Sequence, residues 1–244
     1  MRVIALYNIK GGVGKTTSAV NLAYLSARRE RRTLLWDLDA QGAATYIFRV
    51  KPKVKGGGEA LVRAERTVNE AIKGSDYEHL DVLPADWTYR HLDLLLDNEK
   101  KPTRRLGQLL EPLADQYDDV FLDCPPSMSL LSENVLRAAD VVLVPLIPTT
   151  LSLRTMDQLR EFVADSPGKP PVVRGFFSMV DRRKSLHRDV VENLPAERSD
   201  ILSVSVPNLS VIEQMAARRE PVSEFAPRSS AARAYQELWD ATLA

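Results

Sequence analysis

The 244-residue chain predicts an α/β fold of the doubly wound kind, a mostly parallel sheet with helices on both faces, forming a single domain over residues 1–244. Three observations predict it. Short apolar runs alternate with stretches of helical spacing, the pattern of parallel strands joined by right-handed crossovers. A glycine-rich turn stands directly after the first run, where a strand would hand over to a helix. Carboxylates close two of the later runs, at strand ends where open α/β sheets bind ligands.

Residues 3–7 are a short apolar run, as expected for a central strand covered on both faces. From Lys15 the positions Ala19, Leu22, Ala23 and Ala27 follow helical spacing until a charged turn at 28–32. A second strand is predicted at 33–38, with Asp37 and Asp39 at its carboxyl end, and only one of the two carboxylates is expected to face a ligand directly. The stretch 49–58 is basic and then triple-glycine, a solvated loop or a lid. Helical spacing returns over 59–72, a third strand is predicted at 79–84, and Leu92, Leu95 and Leu96 suit a buried helix face. Thr103 is expected to cap a helix ending near Tyr117. Strands follow at 118–123, 141–145, 172–180 and 201–206, and the tail 228–244 reads as a helix docked on the core through Ala231, Tyr235, Leu238 and Trp239.

Composition narrows the function classes. Lys and Arg number 33 and Asp and Glu 33, so net charge is zero and bulk electrostatics does not announce a polyanion as partner. A single cysteine, Cys124, excludes an intramolecular disulfide and a cysteine-only zinc site, which fits a reducing cytoplasm. No run of about twenty apolar residues is present and the start lacks a signal-peptide pattern, so a soluble protein without membrane insertion is expected.

The chemistry concentrates in residues 8–17. Gly11, Gly12 and Gly14, with Val13 between them, let the backbone approach a polyphosphate closely and turn consecutive N–H groups inward as an anion nest. Lys15 would reach the β- and γ-phosphates, the Thr16 hydroxyl would ligate Mg²⁺, Thr17 follows in the first helical turn, and the helix start adds its positive dipole end. The general pattern asks for glycine where this chain has Ile9, and the loop carries a second lysine, Lys10, beside it.

Lys10-Gly-Gly-Val-Gly-Lys15-Thr-Thr resembles the deviant Walker A motif of the ParA/MinD family of ATPases, and Ile9 resembles its ParA branch. The resemblance covers nearly the whole chain and is strongest at residues 8–17, 36–42 and 120–127. It implies a P-loop fold, ATP/ADP and Mg²⁺ as cofactors, and an ATP-dependent homodimer in which Lys10 reaches the partner's nucleotide. It also implies that Asp39 helps position the attacking water, that Asp123 holds Mg²⁺, and that Met179 and Pro207 line the adenine pocket. Asp37 is either metal-associated or a helix-cap or loop hydrogen-bond acceptor, and Cys124 is a small buried residue beside the site.

Three functions compete. A ParA-like positioning ATPase, cytoplasmic and nucleoid-associated, would bind non-specific DNA through Arg182, Arg183, Lys184, Arg188, Arg218, Arg219 and Arg228, with hydrolysis stimulated by a ParB-like or other adaptor. A MinD-like membrane switch needs a basic amphipathic tail, and the charges of 228–244 cancel. A small-molecule ligase on the same fold has no supporting motif, and one cysteine cannot supply the two ligands per subunit of a dimer-bridging iron–sulfur cluster. No DNA-reading helix-turn-helix is expected ahead of the loop.

Overall fold

The computed structural model describes residues 1–166 and 168–243. Its single sheet contains β1 (Arg2–Leu6), β2 (Thr33–Asp37), β3 (Lys73–Gly74), β4 (Leu80–Leu83), β5 (Asp119–Asp123), β6 (Val141–Leu146), β7 (Val172–Val180) and β8 (Ile201–Pro207). The spatial order is β3-β4-β2-β5-β1-β6-β7-β8, and every pairing is parallel except that of the two-residue edge strand β3 with β4. The doubly wound α/β class read from the sequence is the class observed.

The first strand shows why helices cover both faces. Val3, Ala5 and Tyr7 belong to one buried cluster and Ile4 and Leu6 to another, as period-two alternation requires when neither face meets water. The second cluster joins the helices Lys15–Ala27 and Ser230–Leu243 to the sheet, and the first joins Leu92–Asp97, Leu130–Ala138 and Thr150–Asp165 to it. The tail helix is docked as expected, with Tyr235, Leu238 and Trp239 almost wholly buried.

Local differences from the sequence reading have identifiable causes. The helix expected over 59–72 is two short helices, Gly57–Val62 and Val68–Ala71. Ala64 takes a positive φ of 55°, and the Thr67 hydroxyl donates to the Glu70 carboxylate at 3.2 Å, so a new start replaces continuation. Thr103 does not cap the next helix: Arg105–Leu110 follows Arg104, which makes no side-chain cap. The Leu106 N–H donates instead to Asn134 Oδ1 at 3.0 Å, on the helix packed against it. That helix ends at Leu110 and passes into one 3₁₀ turn, Glu111–Leu113. The edge strand β3 had no sequence signal, being Lys-Gly and exposed.

At the amino end of β5 the Asp119 carboxylate is completely buried and accepts from Ser26 Oγ at 2.8 Å, Arg31 Nη2 at 3.0 Å and Arg2 Nε at 3.2 Å. Burial alone would raise its pKa, but the bonds from Arg31 and Ser26 and the Arg2 charge reverse this and hold it below the ordinary value. A depressed acid stabilises the fold above its unfolded pKa of about 3.9, and that stability is lost as pH falls through the lower folded value. The urea midpoint of the wild type is therefore expected to fall steeply below about pH 4, and Asp119→Asn to flatten that limb. An unchanged acid limb in the variant would contradict the assignment.

Candidate nucleotide site

The loop between β1 and the helix Lys15–Ala27 lies at the carboxyl edge of the sheet, between the ends of β5 and β6, the strands that flank β1. Asn8 anchors its start. Buried, it donates through Nδ2 to Pro145 O at 2.9 Å and accepts the Lys10 N–H at Oδ1, also at 2.9 Å. Gly12 and Gly14 have φ of 68° and 92°, the left-handed region that side chains disfavour. At Gly14 space forbids a side chain as well, since a Cβ there would lie 2.7 Å from Ser178 Oγ. Ser178, at the end of β7, is thus the floor on which the loop rests. The sequence placed Ser178 at that strand end without showing this contact.

Lys15 is buried in the first helical turn, and its Nζ donates to Lys10 O at 2.9 Å. Burial lowers its pKa, against the pull of Asp123, Cys124 and Asp39. The Lys10 side chain is half-buried, and among the described residues no hydrogen bond or ion pair engages its ammonium. Its backbone is held at both N–H and C=O while its charge is uncommitted. Thr17 Oγ1 donates to Gly14 O at 3.0 Å, a bond within the helix start.

Opposite the loop stand three carboxylates. Asp37, the last residue of β2, is fully buried and accepts from Thr45 N at 2.8 Å, Thr45 Oγ1 at 2.7 Å and Asp39 N at 3.2 Å. It accepts from the start of the helix Ala43–Ile47 and from the loop, the hydrogen-bonding alternative of the two that the sequence left open. Burial is the main reason its pKa rises to about 6, with Asp39 adding to the shift and the Thr45 bonds opposing it. Asp39 lies just past the strand and is partly exposed, with Oδ1 accepting the Gln41 N–H at 2.9 Å. Asp37 is thus engaged by Thr45 while Asp39 stays partly exposed, and the charges of both raise the pKa of Asp123.

Asp123, the last residue of β5, is fully buried, and neither of its oxygens has a hydrogen-bond partner. Burial drives its pKa well up, the neighbouring Asp37 adds to this, and Thr16 and Lys15 work against it. Thr16 stands beside Asp123 without closing a hydrogen bond to it. An orphaned buried carboxylate beside a hydroxyl and a glycine cradle fits a hydrated Mg²⁺ and polyphosphate, which would supply the missing partners. Among the described residues no group of three or more His, Cys, Asp or Glu forms a metal cage, so such an ion would take most ligands from water and phosphate. Cys124 is buried and its thiol is pushed well up by burial, which makes it inert rather than nucleophilic.

Next to the loop an apolar cleft of about 230 Å³ is lined by Gly12, Thr17, Met179, Pro207, Ile212 and Tyr235, among others. Met179, at φ 54°, and Pro207 therefore lie together in one cleft beside the loop. Tyr235 had been read only as a helix position, and Ile212 had not been singled out. Their part in the cleft depends on long-range packing that no local pattern announces.

The seven basic residues fall at three places. Arg182, Arg183 and Lys184 follow β7, with Arg183 paired to Asp181 at 2.9 Å and Arg188 Nη1 donating to Arg182 O at 2.9 Å. Arg218 and Arg219 end the helix Ser210–Arg218 and lie over the rings of Phe225, at 4.9 Å, and Tyr46, at 4.5 Å. Arg228 is exposed ahead of the tail helix. No helix among the described residues is long and apolar enough to cross a membrane.

The family described as "AAA domain" matches residues 1–166. The chromosome partitioning protein ParA of Myxococcus xanthus is 34% identical over 97% of this chain and 86% of its own length. The sporulation initiation inhibitor protein Soj of Bacillus subtilis is 31% identical over 97% and 96%. Among solved structures, cobyrinic acid a,c-diamide synthase from Mycobacterium smegmatis, with bound ADP and magnesium, superposes with a TM-score of 0.82 at 27% identity, covering all of this chain and 94% of the other. An ATP complex of McdA from Cyanothece gives 0.84 at 17% identity over 99% and 96%, which speaks to the fold alone. With the loop, the paired carboxylate strands and these likenesses together, the chain belongs to the ParA/MinD family of P-loop ATPases.

Proposed function

We propose that the chain is a ParA-type switch that binds Mg-ATP, pairs face to face with a second copy while ATP is bound, and in that state holds non-specific DNA while it positions a cargo. The observation that carries the reading is Lys10: its backbone is pinned on both sides, yet its ammonium has no partner among the described residues, at the open edge of a loop already served by Lys15. A lysine so placed reaches outward to a charge that this chain does not provide.

A Mg²⁺ held by Thr16 and Asp123 would supply neutralisation of the charge that develops on the terminal phosphoryl group. The chain's residues do the rest. Gly11 to Gly14 present N–H groups to the phosphates, Lys15 turns from the Lys10 carbonyl to them, Thr16 and Asp123 hold the ion, and Asp39 orients the attacking water. Met179 and Pro207 enclose the base. Hydrolysis would end pairing, and an adaptor protein that completes the site would set its rate. Arg182, Arg183, Lys184, Arg188, Arg218, Arg219 and Arg228 are the residues proposed for DNA phosphates. The cytoplasm and nucleoid are the corresponding location.

Lys10→Ala tests this. It is expected to bind ATP within a few-fold of wild type and to remain monomeric on gel filtration with Mg-ATP, with hydrolysis down about 10²-fold, the scale of losing one charged transition-state contact. Normal ATP-dependent dimers in that variant would refute the trans role. The likeness to cobyrinic acid a,c-diamide synthase, at 27% identity, supports a second reading, an ATP-dependent small-molecule amide synthase. ATP turnover stimulated by DNA and a partner protein, with no carboxylic acid acceptor added, favours the switch.

A further inference from the structure

Away from the phosphate loop lies a cleft of about 400 Å³ that shares no lining residue with it. Its lining comes from three separate segments: Lys101, Arg104, Gly107, Gln108 and Glu111; Arg137 and Ala138; and Gly168 and Lys169. The segments lead into β5, β6 and β7 respectively. Every one of them therefore sits at the amino edge, whereas the nucleotide loop follows β1 at the carboxyl edge. In a dimer that pairs through its nucleotides this cleft would face away from the partner.

Four cationic side chains meet there against one carboxylate, Glu111. Among the described residues none of the four takes part in an ion pair, in contrast to Arg31, Arg32, Arg183 and Arg198, each bound to an aspartate. Four cations around one cleft with a single carboxylate leave an excess of positive charge there, a cost that a bound anion removes. The floor suits such a ligand. An added Cβ at Gly107 or Gly168 would meet no atom within 4 Å, so the backbone is open to close approach. Gln108 keeps its amide N–H groups for a ligand, because its carbonyl oxygen accepts from Arg105 Nη1 at 3.1 Å. Two guanidinium forks, two ammonium groups and an amide are the donor set that phosphate oxygens take up.

We propose that this amino-edge cleft is a second anion site, recognising phosphate groups independently of the ATP site. The phosphate could come from a free phosphorylated small molecule or from a nucleic-acid backbone, which share this chemistry.

The test uses the full chain saturated with Mg-ADP, so that the phosphate loop is filled, titrated calorimetrically with pyrophosphate in constant ionic strength. One pyrophosphate per chain is expected, weakened at least about 10-fold in Arg104→Glu/Arg137→Glu, a change of about 1.4 kcal/mol. Both residues are outside the nucleotide site, so Mg-ATP hydrolysis without DNA and the thermal midpoint should stay at wild-type values, which separates this site from the proposed switch. A duplex oligonucleotide titrated over salt identifies the source. Weaker DNA binding with a salt slope shallower by about two in the double variant assigns the cleft to a nucleic-acid backbone. Unchanged DNA binding alongside lost pyrophosphate binding assigns it to a small phosphorylated ligand. No pyrophosphate binding to the ADP-saturated wild type, or equal binding by the variant, overturns the proposal.

Discussion

Lys15→Ala is expected to reduce ATP hydrolysis by about 10³-fold or more and nucleotide affinity at least about 10-fold, because its ammonium is the cation buried at the mouth of the loop. Its charge is kept in a site that burial makes hostile to it, and the nearby Asp123 and Asp39 do not fully compensate. Such a charge is placed for a stronger anion than the chain contains. Its bond to the Lys10 carbonyl, at 2.9 Å, is one that a phosphate oxygen would outcompete, since a charge-assisted pair to an anion is about twice as strong as a bond to a neutral carbonyl. Lys15→Arg is expected to fare little better than alanine, because the guanidinium fork is wider than the ammonium and the residue is only 7% exposed. Phosphate release and binding of a fluorescent nucleotide analogue would measure both quantities. Turnover within about 10-fold of wild type in Lys15→Ala would remove Lys15 from the chemistry.

The parts of this site that were legible in the sequence are those where chemistry and chain position coincide. Gly14 must be glycine for two reasons, its φ and the Ser178 floor, and only the first is local and belongs to the loop pattern itself. Asp123 could be placed because an apolar run ending in a carboxylate is both a strand and a ligand position. Asp37 was harder. Its partner Thr45 lies eight residues on, in a short helix begun by Gly42, and Thr45 Oγ1 in turn donates to Asp37 while accepting the Ala85 N–H at 2.8 Å. Nothing local to Asp37 names those partners. The apolar cleft shows the same limit: Met179 and Pro207 came with the family resemblance, while Ile212 and Tyr235 enter from helices that no local pattern ties to it. Capping followed this rule too, since Leu106 finds its acceptor on Asn134, 28 residues away, rather than on Thr103.

Asp123→Asn is expected to raise stability without nucleotide and destroy hydrolysis, two effects of opposite sign from one substitution. The wild-type carboxylate is fully buried, neither oxygen is hydrogen-bonded, and the like charges acting on it are those of Asp37 and Asp39. Asparagine preserves the shape and cannot ionise, so the gain on folding is expected at about 1 kcal/mol, since a buried carboxyl must either hold a poorly compensated charge or take up a proton to lose it. For a chain of this length that is a rise in melting temperature of roughly 2–4 °C. Hydrolysis, in contrast, is expected to fall about 10²- to 10³-fold, because a neutral amide cannot hold a hydrated cation as a carboxylate does. Addition of Mg²⁺ to the ATP-bound variant should then give no further thermal stabilisation, whereas the wild type gains from it by mass action. A variant that is less stable without nucleotide, or one that still gains from Mg²⁺, would show that the orphaned oxygens of Asp123 serve the fold and not the ion. Keeping a carboxyl with unpartnered oxygens buried at this strand end is a cost to folding, and a cation that arrives with the nucleotide explains why the chain bears it.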